Sequence, residues 1–537
     1  MELPAKRKKR MTGWYDPGVM ARSAIMLATA NIFGRHSDTR LIEALGNQPQ
    51  SSFDYSDASG DFTFDFVADL GDGWDATFAV AEAVANPQLE VEAEDGTCFV
   101  STPGDVLVFG GDLVYPYPSR ERYALHTEAP YALALAQRER RPDVFAIPGN
   151  HDWFDSLVAF SRSLCRPERG FAGCRTRQTR SYFALKLPQG WWLLGVDLQL
   201  GADLDEPQVR YFQAIAREMK ADDRYLLCVP EPQWIYEHIY ADHAAYQTHN
   251  IEQLEQIIGR RAEICLTGDL HYYRRHSAPD GRHKVIAGGG GAFLHPTHQP
   301  DVRELQDGFV ERACYPDVKT SRRLGWRNLL FPIINPRAAW LTSTGYAFTA
   351  WLASSRLDAG DLESPRIALE SALRAALREP VYGIWLFVFV GGLLFFTDTH
   401  SRVYRVIGGG LHAVAHLLAA FLLAWLSLRI TVEGLGLPFG SATQLLVSGC
   451  CVFIGAALVG PWLIGFYLFV SLQLFGRHSN EAFSALRIVD YKHWLRLVID
   501  AAGNLSVLAL GIDRVGSQGR KGSRARVIDR FSVLRRK

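Results

Sequence analysis

Residues 144–153 read VFAIPGNHDW, and this stretch decides the fold class of the first half of the chain. Four apolar residues followed by a Pro-Gly turn are the pattern of a short buried strand. Asn150, His151 and Asp152 come directly after the turn, so three metal-binding side chains stand at the strand's end. Oxygen and imidazole donors of this kind are ligands of divalent metals. The stretch therefore predicts one part of a metal centre.

Four other apolar runs end in the same types of side chain. They read FDFVADLGD at 64–72, VLVFGGDLVY at 106–115, LLCVPEPQW at 226–234 and ICLTGDLHYY at 264–273. Buried carboxylates crowded at one place need a cation to stabilise them. We therefore expect the five strand ends to converge on a single metal centre.

Composition excludes some classes of partner. Lys plus Arg equals Asp plus Glu at 57 each, so no overall positive field favours nucleic acid. The eight cysteines show no CxxC spacing, which favours reduced cysteines and leaves disulfides or zinc as the alternative. The basic N-terminus at 6–10 lacks the apolar stretch of a secretory signal. We expect the first domain to be cytoplasmic.

The chain changes character after about residue 330. Before that point, strand-like runs alternate with helical segments, which predicts an α/β domain built of layers. Beyond it, long apolar stretches predict membrane helices. The sequence VIDAAGNLSVLALGID at 498–513 predicts a small terminal β hairpin. The predicted division is a basic and helical segment at 1–59, the α/β domain at 60–300, a linker at 301–337, membrane helices at 338–476 and a soluble tail with the hairpin at 477–537.

The membrane region is predicted to cross the bilayer four times. Residues 381–397 and 411–428 carry no Asp, Glu, Lys or Arg, and such segments reach about 26 Å, close to the bilayer's hydrocarbon thickness of about 30 Å. Residues 443–475 are also free of charge but contain Pro461, and residues 338–354 are diluted by Ser and Thr. Four spans return the basic tail to the side of the first domain. A soluble helical bundle is the alternative.

These motifs together resemble the calcineurin-like metallophosphoesterase superfamily over roughly residues 60–300. The most specific piece is GNHD after a strand, with Gly111-Asp112 upstream. The resemblance implies a β-sandwich of two sheets flanked by helices (αββα). It also implies two metal ions on the strand-end loops, divalent or of mixed valence and drawn from Mn, Mg and Fe, and a phosphoester substrate.

The resemblance assigns ligands residue by residue. Asp69 would be the first ligand and Asp112 the carboxylate that bridges both metals. Asn150 would bind the second metal through its amide oxygen, and His271 would bind the first. A carboxylate shared by two cations lets a bridging hydroxide form near neutral pH and attack phosphorus.

The family's catalytic pair corresponds to His151 and Asp152. His151 would be the general acid or would stabilise the transition state, and Asp152 would orient its ring.

The chain departs from the usual family pattern at both metals. Gly71 stands where the family has a His, as in the purple acid phosphatase branch, and Tyr115 stands where that branch has a tyrosine ligand. Tyr115 is either a ligand, which favours iron, or a residue packed at the rim. At the second metal, Asp269 replaces a histidine and Glu231 lies near another ligand position. An all-oxygen site prefers Mg²⁺ or Mn²⁺, and a second site too altered to hold metal is the alternative.

Three arginines are candidates for binding the substrate phosphate. Arg274 and Arg275 follow the last ligand, and Arg180 lies in QTRSYF. A guanidinium can hold phosphate with two hydrogen bonds. Charge that merely faces solvent fits the sequence equally well.

The sequence therefore predicts a membrane-anchored phosphoesterase with a cytoplasmic catalytic domain. It does not separate monoesters from diesters, and only the anchoring suggests a lipid or membrane-associated substrate. One alternative is a catalytically inactive metallophosphoesterase fold that binds a ligand and signals to the helices. Another is a transporter regulated by the first domain, which the charge-free spans disfavour.

Overall fold

The computed structural model describes residues 10–29, 52–93, 95–136, 138–198, 204–355, 357–397, 400–516 and 524–535. The basic stretch at 6–9 and most of the predicted N-terminal segment lie outside these residues. The chain divides into two compact units. The first comprises 1–12, 22–321 and 487–537, and the second comprises 13–21 and 322–486.

The first unit contains two β-sheets. Its strands are β1 (Phe53–Asp54), β2 (Phe62–Val67), β3 (Leu89–Glu92), β4 (Cys98–Ser101), β5 (Val106–Gly110), β6 (Asp143–Ile147), β7 (Arg175–Thr176), β8 (Phe183–Lys186), β9 (Trp191–Gly195), β10 (Arg224–Cys228), β11 (Ile264–Thr267), β12 (Tyr273–Ser277), β13 (His283–Ala287), β14 (Val310–Tyr315), β15 (Lys492–Ile499), β16 (Leu505–Ile512) and β17 (Ala525–Val533). Each of the five apolar runs found in the sequence forms a strand, namely β2, β5, β6, β10 and β11.

The nine-stranded sheet has the order β4-β3-β17-β16-β15-β2-β5-β6-β7. Its strands β2, β5 and β6 are parallel neighbours, so their carboxyl ends lie at one edge. The predicted terminal hairpin exists as β15 and β16, but it does not stand apart as a tail. β15 pairs antiparallel with β2, and β17 extends the sheet further. The inward residues of β15, Leu495, Leu497 and Ile499, are apolar and lie in the buried cluster between the two sheets.

The eight-stranded sheet has the order β1-β8-β9-β10-β11-β13-β12-β14. Strands β9, β10, β11 and β13 run parallel. Two members come from segments that the sequence placed outside this domain: β1 lies in the predicted N-terminal segment and β14 in the predicted linker.

The two sheets face each other across one apolar core. Phe64, Phe66 and Ile147 from the first sheet belong to the same buried cluster as Trp191 and Leu226 from the second. Helices cover the outer faces in two further clusters. The longer ones are Trp74–Ala85, Ala129–Leu135, Val158–Leu164, Glu206–Glu218, Gln233–Ile239 and Asn250–Ile258, and the short helices Arg120–Arg122 and Asn150–Trp153 lie between strands. This confirms the predicted sandwich of two sheets flanked by helices.

The second unit is helical. Its main helices are Phe331–Ile334, Ala338–Ser354, Pro365–Arg378, Pro380–Phe396, Arg402–Arg429, Ala442–Phe475 and Ser479–Leu486, and Val318–Gly325 and Pro17–Thr29 extend into both units. Within the described residues, two segments are long and apolar enough to cross a membrane, Arg402–Gly434 and Ala442–Phe475. The pair Pro365–Arg378 and Pro380–Phe396 would add a third, but it is bent by 101°. Four spans are therefore more than length and composition alone support.

Candidate metal centre

Three aspartates lie just after the ends of parallel strands, and the backbone of each is strained. Asp69 follows β2, Asp112 follows β5 and Asp269 follows β11, with φ angles of 58°, 50° and 66°. Residues other than glycine rarely adopt this left-handed region, and such strain concentrates at functional sites. The three loops turn their side chains into the end of the sandwich, where all three carboxyl groups are largely buried.

Four of the predicted ligands converge on one atom. The phenol oxygen of Tyr115 lies 2.9 Å from Asp69 Oδ1, 2.9 Å from Asp112 Oδ2 and 2.9 Å from His271 Nε2. The His271 Nε2 atom is also 3.4 Å from Asp69 Oδ1. Tyr115 is therefore a member of this cluster and does not merely pack at the rim.

The imidazole of His271 is oriented for ligation. Its Nδ1 lies 2.7 Å from the carbonyl oxygen of Phe293, so Nδ1 carries the proton and Nε2 presents a lone pair to the cluster. Burial holds the pKa of His271 well below its ordinary value, and Lys492 adds to this effect. The ring is thus neutral, as a metal ligand must be.

Asn150 lies at the start of the short helix after β6, next to Asp112. Its Oδ1 atom is buried and has no hydrogen-bond partner among the residues that the structure describes, whereas the backbone N–H of His151 donates to Asp112 Oδ1 at 2.9 Å. A buried amide oxygen without a partner costs about 1–3 kcal/mol, and a cation would satisfy it. A Cβ at Gly149 would lie 2.0 Å from Asp112 Oδ1, so only glycine lets the GNHD turn approach this carboxylate.

The carboxylates repel one another in a buried place. Burial raises the pKa of Asp69 to about 7 and that of Asp269 to about 7, and the pKa of Asp112 rises well above its ordinary value for the same reason and because of Asp69. Lys492 is a cation that acts on one of these carboxylates, Asp69; it is fully buried and donates to the Ala292 carbonyl at 2.5 Å. Burial lowers the pKa of Lys492 to about 8. The negative charge thus exceeds what this lysine neutralises, which fits a metal site.

The donor set fits metal ions, although the geometry is not that of a loaded site. Within the described residues, no three or more His, Cys, Asp or Glu side chains surround one point as a bound ion requires. The Tyr115 hydroxyl stands at the point where Asp69, Asp112 and His271 meet, and its single proton can be donated to only one of these acceptors at a time.

Asp152 bonds groups of the GNHD turn and of two neighbouring segments. Its carboxylate accepts hydrogen bonds from Gly149 N–H at 2.8 Å, from Leu113 N–H at 3.2 Å and from the Tyr123 hydroxyl. These bonds tie the GNHD turn to the loop that carries Asp112. The atom that orients the His151 ring through Nδ1 is the Pro116 carbonyl oxygen, at 2.8 Å.

His151 lies beside the cluster. Its ring packs against the Tyr115 ring with 4.4 Å between centroids. Burial lowers the pKa of His151 to about 4, so the imidazole is neutral near pH 7.

The second predicted site contains two further carboxyl groups, those of Glu231 and Asp269. Burial, with Asp269 nearby, raises the pKa of Glu231 to about 8, so Glu231 lies within electrostatic reach of Asp269. The Tyr236 hydroxyl donates to Asp269 Oδ2. Asp269 N–H in turn donates to Asp69 Oδ2 at 2.8 Å, which links the two halves of the cluster.

The three arginines have partners other than a substrate. Arg274 lies 3.1 Å from Glu311 and donates to the Thr297 carbonyl. Arg275 forms a two-pronged ion pair with Asp529, at 2.6 and 2.9 Å, which joins β12 to β17 in the other sheet. Arg180 lies over the rings of Tyr182 and Tyr211. The structure brings none of them into the cluster, because their contacts hold the fold together.

Sequence reasoning missed several residues around the cluster. Lys492 arrives on β15, from beyond the membrane region, and its position depends on pairing between β15 and β2. Tyr236 and Tyr123 bind Asp269 and Asp152, and His295 stacks on His271 with 4.1 Å between ring centroids. No local motif marks these contacts, since each joins segments distant in sequence.

Part of the chain matches a known protein family. The family described as calcineurin-like phosphoesterase matches residues 62–200. No curated protein sequence matches the chain.

Several solved structures are similar at low identity. GAP50, the anchor in the inner membrane complex of Plasmodium, is 11% identical with a TM-score of 0.34, and the match covers 48% of this chain and 79% of that one. Purple acid phosphatase PPD1 from yellow lupin (Lupinus luteus) seeds is 12% identical with a TM-score of 0.30, covering 46% of each chain. PhoD is 11% identical with a TM-score of 0.30, covering 46% of this chain and 59% of that one. The match thus spans less than two thirds of the lupin and PhoD chains.

The family match includes the loops that follow β2, β5 and β6. Asp69, Asp112, Asn150 and His151 all lie within the matched residues. Residues 62–200 of this chain therefore belong to a calcineurin-like phosphoesterase domain.

Proposed function

We propose that this protein is a metal-dependent phosphoesterase anchored in a membrane. The observation that carries the proposal is the convergence of Asp69, Asp112 and His271 on the Tyr115 oxygen, with the unpartnered Oδ1 of Asn150 beside Asp112. Asp69, Asp112, Tyr115 and His271 would hold one ion. Asp112, Asn150 and Asp269, with Glu231 near them, would hold a second. The oxygen-rich donors favour Mg²⁺ or Mn²⁺ at the second site, and the phenol favours iron at the first.

Metal ions in such a centre polarise the phosphoryl oxygens and activate a water molecule as the nucleophile. The chain's own residues position the reacting groups. The two oxygens of Asp112 face different partners, Tyr115 and the His151 backbone, which suits a bridging ligand.

His151 would handle the proton. Its Nδ1–H is held by Pro116, so Nε2 is the atom that can take up a proton and return it. A phosphate dianion beside the ring would raise the pKa of His151 from about 4, because a negative charge favours the charged imidazole. The protonated ring could then donate to the leaving oxygen.

The path of the chain between β2 and β15 supports the proposed membrane anchoring. The second unit's main segment, 322–486, begins and ends at the first unit, because β2 and β15 pair in one sheet. The chain must therefore cross a membrane an even number of times between them. The helices Arg402–Arg429 and Ala442–Phe475 satisfy this as a pair. A cytoplasmic catalytic domain agrees with eight cysteines that form no disulfide.

The substrate is proposed only as a phosphoester, mono or di. The test is hydrolysis of an aryl phosphomonoester and an aryl phosphodiester by the full chain in detergent, with and without Mn²⁺, Mg²⁺ or Fe²⁺.

His151→Gln should lower the rate by about 100-fold to 10,000-fold while metal stays bound, since positioned proton transfer contributes that much. His283→Gln is the matched control, because His283 bonds Ser277 away from the cluster. Metal-independent hydrolysis, or none with any metal, would contradict the proposal and favour an inactive binding fold.

A further inference from the structure

A cavity of about 590 Å³ lies between the two helices long enough to span a membrane. Its walls come from the first half of Arg402–Arg429 and the last third of Ala442–Phe475. Most of its lining is apolar, including Ile407, Leu411, Leu463 and Val470. A well-formed apolar pocket with a few polar groups is the usual form of a ligand site.

One side of the cavity opens away from the protein. Val403, Ile407 and Leu411 line it and are 70%, 59% and 67% exposed. On helices of this apolarity, an exposed apolar side faces lipid. A lipid chain could therefore enter from the bilayer without crossing the protein.

Polar groups gather at one end of the cavity. Arg477 lies there, just after the last turn of Ala442–Phe475, and Ser401 caps the start of the facing helix. Tyr404 donates to Ser471 at 2.6 Å and joins the two helices at the same end. Helix ends of this kind stand at the level of the lipid headgroups.

His412 supplies a directed polar group below this end. Its ring stacks on Tyr467 at 3.9 Å between centroids, and the Tyr467 hydroxyl bonds His478, the residue next to Arg477. His412 lines the cavity and is 3% exposed.

A hydrogen-bond chain links Tyr346, His416 and His412. The Tyr346 hydroxyl bonds His416 Nδ1 at 2.6 Å, and His416 Nε2 bonds His412 Nε2 at 2.9 Å. With Tyr346 donating, His416 donates to His412 Nε2, and His412 carries its proton on Nδ1. That Nδ1 has no hydrogen-bond partner in the described part of the chain. A ligand here should offer an acceptor oxygen.

We propose that this cavity binds one acyl chain of an anionic glycerophospholipid, with its phosphate at Arg477 and an ester carbonyl accepting from His412 Nδ1–H. The apolar wall fits the chain, Arg477 fits the phosphate, and His412 fits an ester carbonyl. This site lies wholly within the second unit and does not depend on hydrolysis by the first.

The test uses the full chain in phosphatidylcholine nanodiscs with chelator present. The probe is a phosphonate analogue of phosphatidic acid that carries a diazirine in one acyl chain, so that hydrolysis cannot consume it. A diacylglycerol probe with the same diazirine measures binding of the acyl chain without the phosphate. Inorganic phosphate, added as a competitor, measures binding of phosphate without the acyl chain. We expect labelling within 403–415 and 463–477, stronger for the phosphonate probe, and no competition by inorganic phosphate.

Variants separate the cavity from the general lipid surface. Ala415→Phe should fill the cavity and abolish labelling there, as should Leu463→Trp from the opposite helix, so that the test survives if one variant does not fold. Val406→Phe is the control, because Val406 is exposed on the same helix outside the cavity.

The charge is tested separately. Arg477→Gln should lower the preference for the phosphonate over diacylglycerol by about fivefold, the value of one basic residue near an anionic headgroup. Arg429→Gln, at the other end of the helix, should leave it unchanged. Labelling spread evenly over the helices, displacement by inorganic phosphate, or labelling unaffected by both filling variants would overturn the proposal.

Discussion

Arg496 on β15 holds the C-terminal strands to the first strand of the phosphoesterase domain, and its loss should loosen that junction. The guanidinium and the Asp65 carboxylate are 1% and 2% exposed, with Nε 2.7 Å from Oδ1. The same guanidinium donates to the Ser101 hydroxyl at 2.9 Å, and Asp65 also accepts from Gly104 N–H at 2.9 Å. Arg496→Met would leave a buried carboxylate without its cation, which costs about 3–5 kcal/mol.

The assay is hydrogen exchange of the full chain in detergent, read on peptides that cover β2 and β15. A loss of 3–5 kcal/mol corresponds to exchange faster by about 150-fold or more at these strands. Arg210→Met is the control, since its ion pair with Glu206 is exposed on a helix and is worth at most about 0.5 kcal/mol.

The double variant Asp65→Leu with Arg496→Met should recover part of the loss, because it removes the orphaned charge as well. If Arg496→Met left exchange at β2 unchanged, the C-terminal strands would not belong to this sheet.

Three further predictions follow from the same contacts. Arg275→Met should lower thermal stability but leave KM for an aryl phosphate unchanged, since Arg275 pairs with Asp529 and not with substrate; a raised KM would restore its substrate role. Tyr115→Phe should weaken metal binding about 10-fold to 100-fold in a chelator competition, as loss of a ligand or its supporting bond does; unchanged affinity would place Tyr115 outside the centre. Burial lowers the pKa of His276 to about 4 from 6.5. Between these pH values the unfolded state binds more protons than the folded state, so the free energy of unfolding falls as the pH falls. His276→Phe should flatten that part of the plot of stability against pH, measured by hydrogen exchange at β12.

The strand-end side chains were predictable because their signals are local. An apolar run followed at once by GNHD or by a Gly-Asp pair places its donors within a few residues of a strand end, whatever the rest of the chain does. Tyr115 was expected from the resemblance to the purple acid phosphatase branch, which has a tyrosine ligand at this spacing, with packing at the rim as the alternative. These residues converge because β2, β5 and β6 are parallel neighbours.

The remaining contacts depend on pairings between distant segments. β15 pairs with β2 across more than 400 residues of intervening chain, so neither Lys492 nor Arg496 carries a local signal. Arg274 and Arg275 were predicted together as substrate-binding residues, but adjacent residues of a strand point to opposite faces, so at most one of them can face the mouth of the site. Asp152 likewise follows a ligand motif, yet its partner Tyr123 comes from another segment.

Helix length explains why the sequence does not fix the number of membrane spans. The helices Ala338–Ser354 and Pro380–Phe396 are apolar but contain 17 residues each. That length reaches about 26 Å, just under the usual hydrocarbon thickness. Apolarity alone therefore does not separate a short span from a helix packed beside the spans.

The most direct test of the metal centre is the metal content of the purified chain by elemental analysis, compared with that of Asn150→Ala. The account predicts about two ions per chain in the original protein and about one in the variant, because Asn150 would serve only the second ion of a two-metal site. Gln178→Ala is a control for a buried amide that instead bonds Ala146. Equal metal content in all three proteins, or no metal in any of them, would contradict the centre proposed here.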